Sequence, residues 1–138
     1  MKLRAAAAAV ALVLLVGAAA ASRDAAARAN DGTVRITIHY STFDPDGLAV
    51  EPGETVRFVI VNTDPIDHEF ILGDERVQLV HEEGTEPHHD PRPGEVSVPA
   101  GASVVTTFTF PEETGDLIFG CHLPGHYDFG MRGTVTVG

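Results

Sequence analysis

At 138 residues, 43% of them hydrophobic, the chain suits one domain with a modest core and argues against a multidomain enzyme. A formal net charge of −11 excludes a nucleic-acid or anionic-lipid binder and favours a basic partner. The single Cys excludes an internal disulfide, the usual use of Cys outside the cytoplasm, and leaves its thiol for another purpose.

The chain opens with Lys2 and Arg4, then an apolar run from Ala5 to Ala21. A charged start, an apolar stretch and the small residues Ala19-Ala20-Ala21 predict a signal peptide over 1–21 and export to a periplasm or cell envelope. The rival reading is an uncleaved membrane anchor, for which the run is slightly short and rich in weakly apolar Ala. Residues 22–32 carry no pattern and read as a flexible leader. From 33 to 138 the writing changes to that of one all-β domain. Val34, Ile36 and Ile38 alternate with polar residues, and Thr55 to Val61 is a β-branched run after the turn signal Glu51-Pro52-Gly53-Glu54. Pro99-Ala100-Gly101-Ala102 repeats that turn logic before a strand at Val104–Phe110, and Leu117–Phe119 and Thr134–Val137 supply two more. No stretch after Ser22 carries a sustained helical period. Gly73 to Gly94, charged and broken by Pro87, Pro91 and Pro93, reads as a long loop with a short strand or turn at Val77–Val80. Many short strands punctuated by Pro and Gly predict a β-sandwich or barrel.

The chemistry concentrates near the C-terminus. Cys121, His126 and Met131 stand at Cys-x4-His-x4-Met, in a loop shaped by Pro124, Gly125 and Gly130. Thiolate, imidazole and thioether suit copper better than calcium or magnesium. A trigonal copper centre needs a second imidazole, and His68, where a strand run gives way to a turn and another strand, is the candidate. Each residue also has a plainer reading. Cys121 could be a small buried hydrophobe, Met131 a core residue opening the last strand, and His68 and His126 ordinary loop or strand-end histidines.

With these residues the chain resembles the cupredoxins, the blue (type 1) copper family that includes plastocyanin, azurin and pseudoazurin. The resemblance covers roughly residues 33–138 and is nearest to small exported bacterial members with an Asp-His-Glu-Phe segment and a Cys-His-x-Pro-Gly-His loop. It implies a Greek-key sandwich holding one type 1 copper ion through His68, Cys121, His126 and Met131. It also implies single-electron exchange with a protein partner, with the edge of His126 as port and Leu123, Pro124 and Phe129 around it. A non-enzymatic, monomeric electron carrier is therefore expected, with a redox partner that the acidic surface would steer if basic. Glu69 departs from the family, which commonly has Asn there to tie the two ligand loops; Asn62 or Thr63 could replace that tie. His122, next to Cys121 on extended chain, is expected to point away from the ion, and His39 is phased outward. A copper-handling role in resistance or delivery is the alternative function, and His81, His88 and His89 could hold a second metal for it.

Overall fold

The alternation at Val34, Ile36 and Ile38 sends these three side chains to one face, where all are buried, and leaves Arg35 and His39 exposed. The same period buries Val56, Phe58, Ile60 and Asn62 on the parallel neighbouring strand. The computed structural model describes residues 27–28, 32–84 and 90–138, so the expected signal peptide, His88 and His89 lie outside the described residues.

In chain order the strands are β1 (Ala27–Arg28), β2 (Thr33–His39), β3 (Thr42–Asp44), β4 (Gly47–Val50) and β5 (Thr55–Asn62). Then come β6 (His68–Gly73), helix α1 (Glu75–Glu83), β7 (Glu95–Val98), β8 (Ser103–Thr109), β9 (Gly115–Gly120) and β10 (Arg132–Val137). They form two sheets, β1-β4-β10-β9-β6-β7 and β3-β2-β5-β8, the sandwich expected. Two residues of the stretch read as a flexible leader, Ala27–Arg28, pair with β4. The core between the sheets is aromatic: Phe119 lies edge-on to Phe43 at 5.2 Å and tilted against Phe70 at 5.4 Å between ring centroids.

One expectation is corrected. The segment after Gly73 is not a loop containing a strand; its first part is the nine-residue helix α1. Asp74 caps it, its carboxylate accepting the Val77 N–H at 2.9 Å, and Glu75 sits in the first turn, where an anion is favoured. The hydrophobic pattern misses this helix because polar contacts hold it. Buried Gln78 donates to the carbonyls of Ile71 (3.1 Å) and Ile118 (2.9 Å), while Leu79 and Val80 remain exposed. Among the described residues, no helix is long and apolar enough to cross a membrane.

Pairing decides where the ends fall. Strands β6 and β9 run antiparallel with Ile71 opposite Gly120, so His68, opening β6, and Cys121, just past β9, emerge at the same end of the sandwich. Strand β10 starts at Arg132, opposite Gly120, which brings Met131 to that end as well.

Candidate metal centre

Each candidate ligand is held from both sides. His68 follows a turn pinned by Asn62, whose amide nitrogen shares its two hydrogens among the carbonyls of Ile66, Val98 and Pro99. The loop from Cys121 to Met131 closes on itself: the Cys121 N–H donates to the Met131 carbonyl (3.2 Å) and the Met131 N–H to that of His126 (3.0 Å). Gly125 and Gly130, at φ 84 and 94, supply the left-handed backbone that lets so short a loop turn its side chains to one point.

The loops bring Nδ1 of His68, Sγ of Cys121 and Nδ1 of His126 within 4.8 Å of one another. The two Nδ1 atoms are 3.3 Å apart, and Sγ lies 3.2 Å from Nδ1 of His126 and 4.0 Å from Nδ1 of His68. A trigonal or tetrahedral metal bonded at about 2.0 Å to nitrogen and about 2.3 Å to sulfur keeps its donors about 3.3–3.8 Å apart. The donors fit a copper-sized ion. Cys121, His68 and Met131 are buried, while His126 is half-buried and closes the site from outside. Met131 packs in the core cluster that also contains Cys121.

The electrostatics follow from burial. Desolvation pushes the Cys121 thiol up to about 11; the Leu123 and Glu69 amides work against that rise, and the Glu69 charge adds to it. The metal-free thiol therefore keeps its proton at neutral pH, and a metal must displace it. Burial lowers the His126 pKa, His68 lowers it further, and Asp64 opposes both.

The Glu69 departure proves harmless to one tie, because its backbone N–H, not its side chain, donates to Cys121 Sγ at 3.3 Å. Asn62 and Thr63 do other work: Thr63 bonds the Ile38 carbonyl at 2.8 Å and the outward-facing His39 at 2.9 Å. His122 turns away from the thiol. Its Nδ1 meets a Glu82 carboxylate oxygen at 2.7 Å and its Nε2 the Gln78 amide oxygen at 2.8 Å, with the ring stacked on Tyr127. Acceptors at both nitrogens favour the imidazolium; burial works the other way and lowers the pKa. His81 lies in the last turn of α1, 2.9 Å from the Val77 carbonyl and 3.4 Å from Glu95. Among the described residues, no metal-sized group of three His, Cys, Asp or Glu side chains forms other than His68, Cys121 and His126.

Sequence reasoning missed Asp64. Its carboxylate is 2.9 Å from Nε2 of His68, on the side of the ring away from the thiol, and it also accepts the N–H groups of Tyr40 (2.7 Å) and Ser41 (2.8 Å). Burial alone would raise its pKa, yet the Ser41 and Tyr40 amides and the His68 ring together hold it below the ordinary carboxylate value. The available signal was the four-residue spacing across the Pro65 turn, which resembles any polar turn until the fold is known.

A two-sheet sandwich with one thiol and two imidazoles converging at one end defines a small β metalloprotein whose donors favour copper. The chain belongs to the family described as the cupredoxin-like domain, whose family model matches residues 7–137. It is similar to the copper-resistant cuproprotein CopI of Rubrivivax gelatinosus, 40% identical over 111 residues that cover 76% of this chain and 66% of that protein. The protein of the same name from Pseudomonas aeruginosa is 30% identical over 148 residues, covering 83% of this chain and 81% of its own length. Solved structures with the same fold include the auracyanins, of which auracyanin A of Chloroflexus aurantiacus, a blue copper protein, matches with a TM-score of 0.61 at 22% identity. Reduced auracyanin of Roseiflexus castenholzii matches with a TM-score of 0.66 at 25% identity, over 78% of this chain and 97% of that one.

Proposed function

We propose that this chain is an exported copper-binding protein of copper resistance, holding one ion in a type 1 site through His68, Cys121, His126 and Met131. The observation that carries the reading is the convergence of one buried thiol and two Nδ1 atoms at metal-bridging separations. The copper-resistant cuproproteins to which the chain is similar supply the physiological setting. When bound, copper supplies one-electron chemistry between its two common oxidation states. The protein's own part is to exclude water around Cys121 and hold the donors in place, so that little moves when the charge changes. No catalytic turnover belongs to this reading.

A second reading, one-electron transfer to a protein partner, is favoured by the surface. The half-buried His126 ring stands among exposed Pro124, half-buried Leu123 and Phe129, which is 93% exposed. A brief encounter needs only a small patch, and the net charge of −11 steers a basic partner toward it.

The test is to add Cu(II) to the purified chain and record the visible spectrum. An intense blue or green band that Cys121→Ser abolishes is expected, and a colourless copper complex overturns the type 1 assignment. Copper-sensitive cells lacking this protein should regain growth with the wild-type chain and not with Cys121→Ser. Equal rescue by both overturns the role in resistance.

A further inference from the structure

The two-residue tip of the β2–β3 hairpin is a strained one, because its left-handed turn is built from residues that resist that conformation. Tyr40 and Ser41 adopt φ of 51 and 54, the left-handed region that hairpin tips ordinarily fill with Asn or Gly. Holding two L-residues there costs about 1–2 kcal/mol each. What the strain achieves is visible in the hydrogen bonds. The backbone N–H groups of Tyr40 and Ser41 point together at the Asp64 carboxylate, at 2.7 and 2.8 Å. Two successive amides aimed at one anion form a small nest. Asp64 is 6% exposed, so this nest, its own amide bond to Asn62 Oδ1 and its bond to His68 hold it in a single place.

His68 has one face left. A carboxylate accepting two amides is an acceptor only, so the contact at 2.9 Å requires Nε2 of His68 to donate. In the neutral ring, the form that binds a metal, that places the proton on Nε2 and leaves Nδ1 bare, facing Nδ1 of His126 at 3.3 Å and Sγ of Cys121 at 4.0 Å.

We propose that Asp64 is the positioning residue of the metal centre: seated in the strained Tyr40–Ser41 tip, it fixes the tautomer and ring orientation of His68 and favours the divalent over the monovalent copper ion. The first half follows from the bond geometry. The second follows from charge, because an anion hydrogen-bonded to a ligand imidazole raises the ligand's basicity, which benefits the more highly charged ion more. A ligand cannot shift a two-state balance without differential interaction, and Asp64 supplies one. The inference rests on the copper reading only in its second half.

Three variants of the full chain test it. Asp64→Asn can keep an oxygen at the position that serves His68 and Ser41 while losing the charge. It should retain the Nε2–H tautomer of His68, read by nitrogen–proton NMR of the metal-free chain. The ratio of Cu(II) to Cu(I) affinity should fall about tenfold, a rise of about 59 mV in potential. Asp64→Ala should lose the single tautomer and lower Cu(II) affinity 10–100-fold. Because Asp64→Ala also removes the bonds that offset the strain of the tip, it is paired with a triple variant adding Tyr40→Gly and Ser41→Gly, which adopt the left-handed tip without strain. That variant should recover melting temperature but neither the tautomer nor the affinity ratio; a purely structural Asp64 would see all three return together. An unchanged His68 tautomer in Asp64→Ala overturns the positioning role, and an unchanged ratio in Asp64→Asn overturns the charge effect. Should the wild-type chain take up no copper, the proposed function falls, while the metal-free NMR comparison still decides what Asp64 does to His68.

Discussion

Asn62 is the side chain on which the geometry of the His68 turn depends most, and its removal has a calculable cost. It is 1% exposed, and its amide nitrogen reaches the carbonyls of Ile66, Val98 and Pro99 at 2.8, 3.0 and 3.1 Å. Its oxygen accepts the Asp64 N–H at 2.9 Å. Asn62→Ala removes these bonds and leaves the buried Asp64 amide without the oxygen it donates to. At about 1 kcal/mol net per bond, with about 1–3 kcal/mol for a buried group left unpaired and some relief from water at the part-buried carbonyls, the loss should be about 3 kcal/mol. For a domain of this size that is a fall of about 15 °C in melting temperature. Urea unfolding of the metal-free chain measures it directly, and copper uptake should weaken in parallel because residues 63–67 lose their anchor ahead of His68. Asn62→Asp is the sharper control. It sets a carboxylate oxygen against three carbonyl oxygens and should be worse than Ala. A loss below about 1 kcal/mol for Asn62→Ala, or Asp tolerated better than Ala, would refute the account of Asn62 as a donor hub.

The raised Cys121 pKa makes alkaline stability a readout of burial. The shift from an ordinary 9.0 to about 11 favours the fold while the thiol is neutral. That contribution is complete below pH 9 and is lost as pH rises through about 11, about 3 kcal/mol in all. Cys121→Ala should flatten this alkaline limb in denaturant titrations, and an identical slope in both proteins would contradict it. Copper loading at neutral pH should release about one proton from the thiol, measurable in weakly buffered solution. Gly133→Ala should cost more than about 3 kcal/mol or prevent folding. Its Cβ would lie 2.2 Å from the Phe119 ring and 2.4 Å from the Asp46 carbonyl oxygen, neither of which can retreat, and a near-normal melt would show otherwise. Phe129→Ser should change stability by less than about 0.5 kcal/mol, since Phe129 is 93% exposed; a larger loss in thermal melts would mean that it is not free surface.

The sandwich and the pairing of Cys121 with His126 were legible because both rest on local rules. Period-two burial at Val34, Ile36 and Ile38 needs only the pleat of a strand, and Cys121 and His126 lie close enough in the chain for one loop to gather them. His68 was legible as a donor type at a strand start, although its distance from Cys121 was not. Helix α1 was half-legible: Asp74 followed by Glu75 is a helix-start signal, but the helix is held by Gln78 and by Glu82 at His122, which no apolar period records. His81, His88 and His89 read as one cluster; the structure places His81 on the helix against Val77 and Glu95.

What the chain alone determined was the donor inventory and the β character, since each is a property of residue type and short spacing. Tertiary structure decided which nitrogen of His68 faces the thiol, that the backbone of Glu69 and not its side chain reaches that thiol, and what a strained turn at Tyr40 and Ser41 is for. Those answers depend on strands that meet only after the β6–β9 and β2–β5 pairings form. A hydrogen bond between residues more than 20 positions apart, such as that from the Tyr40 amide to Asp64, leaves no periodic trace in the sequence that encodes it.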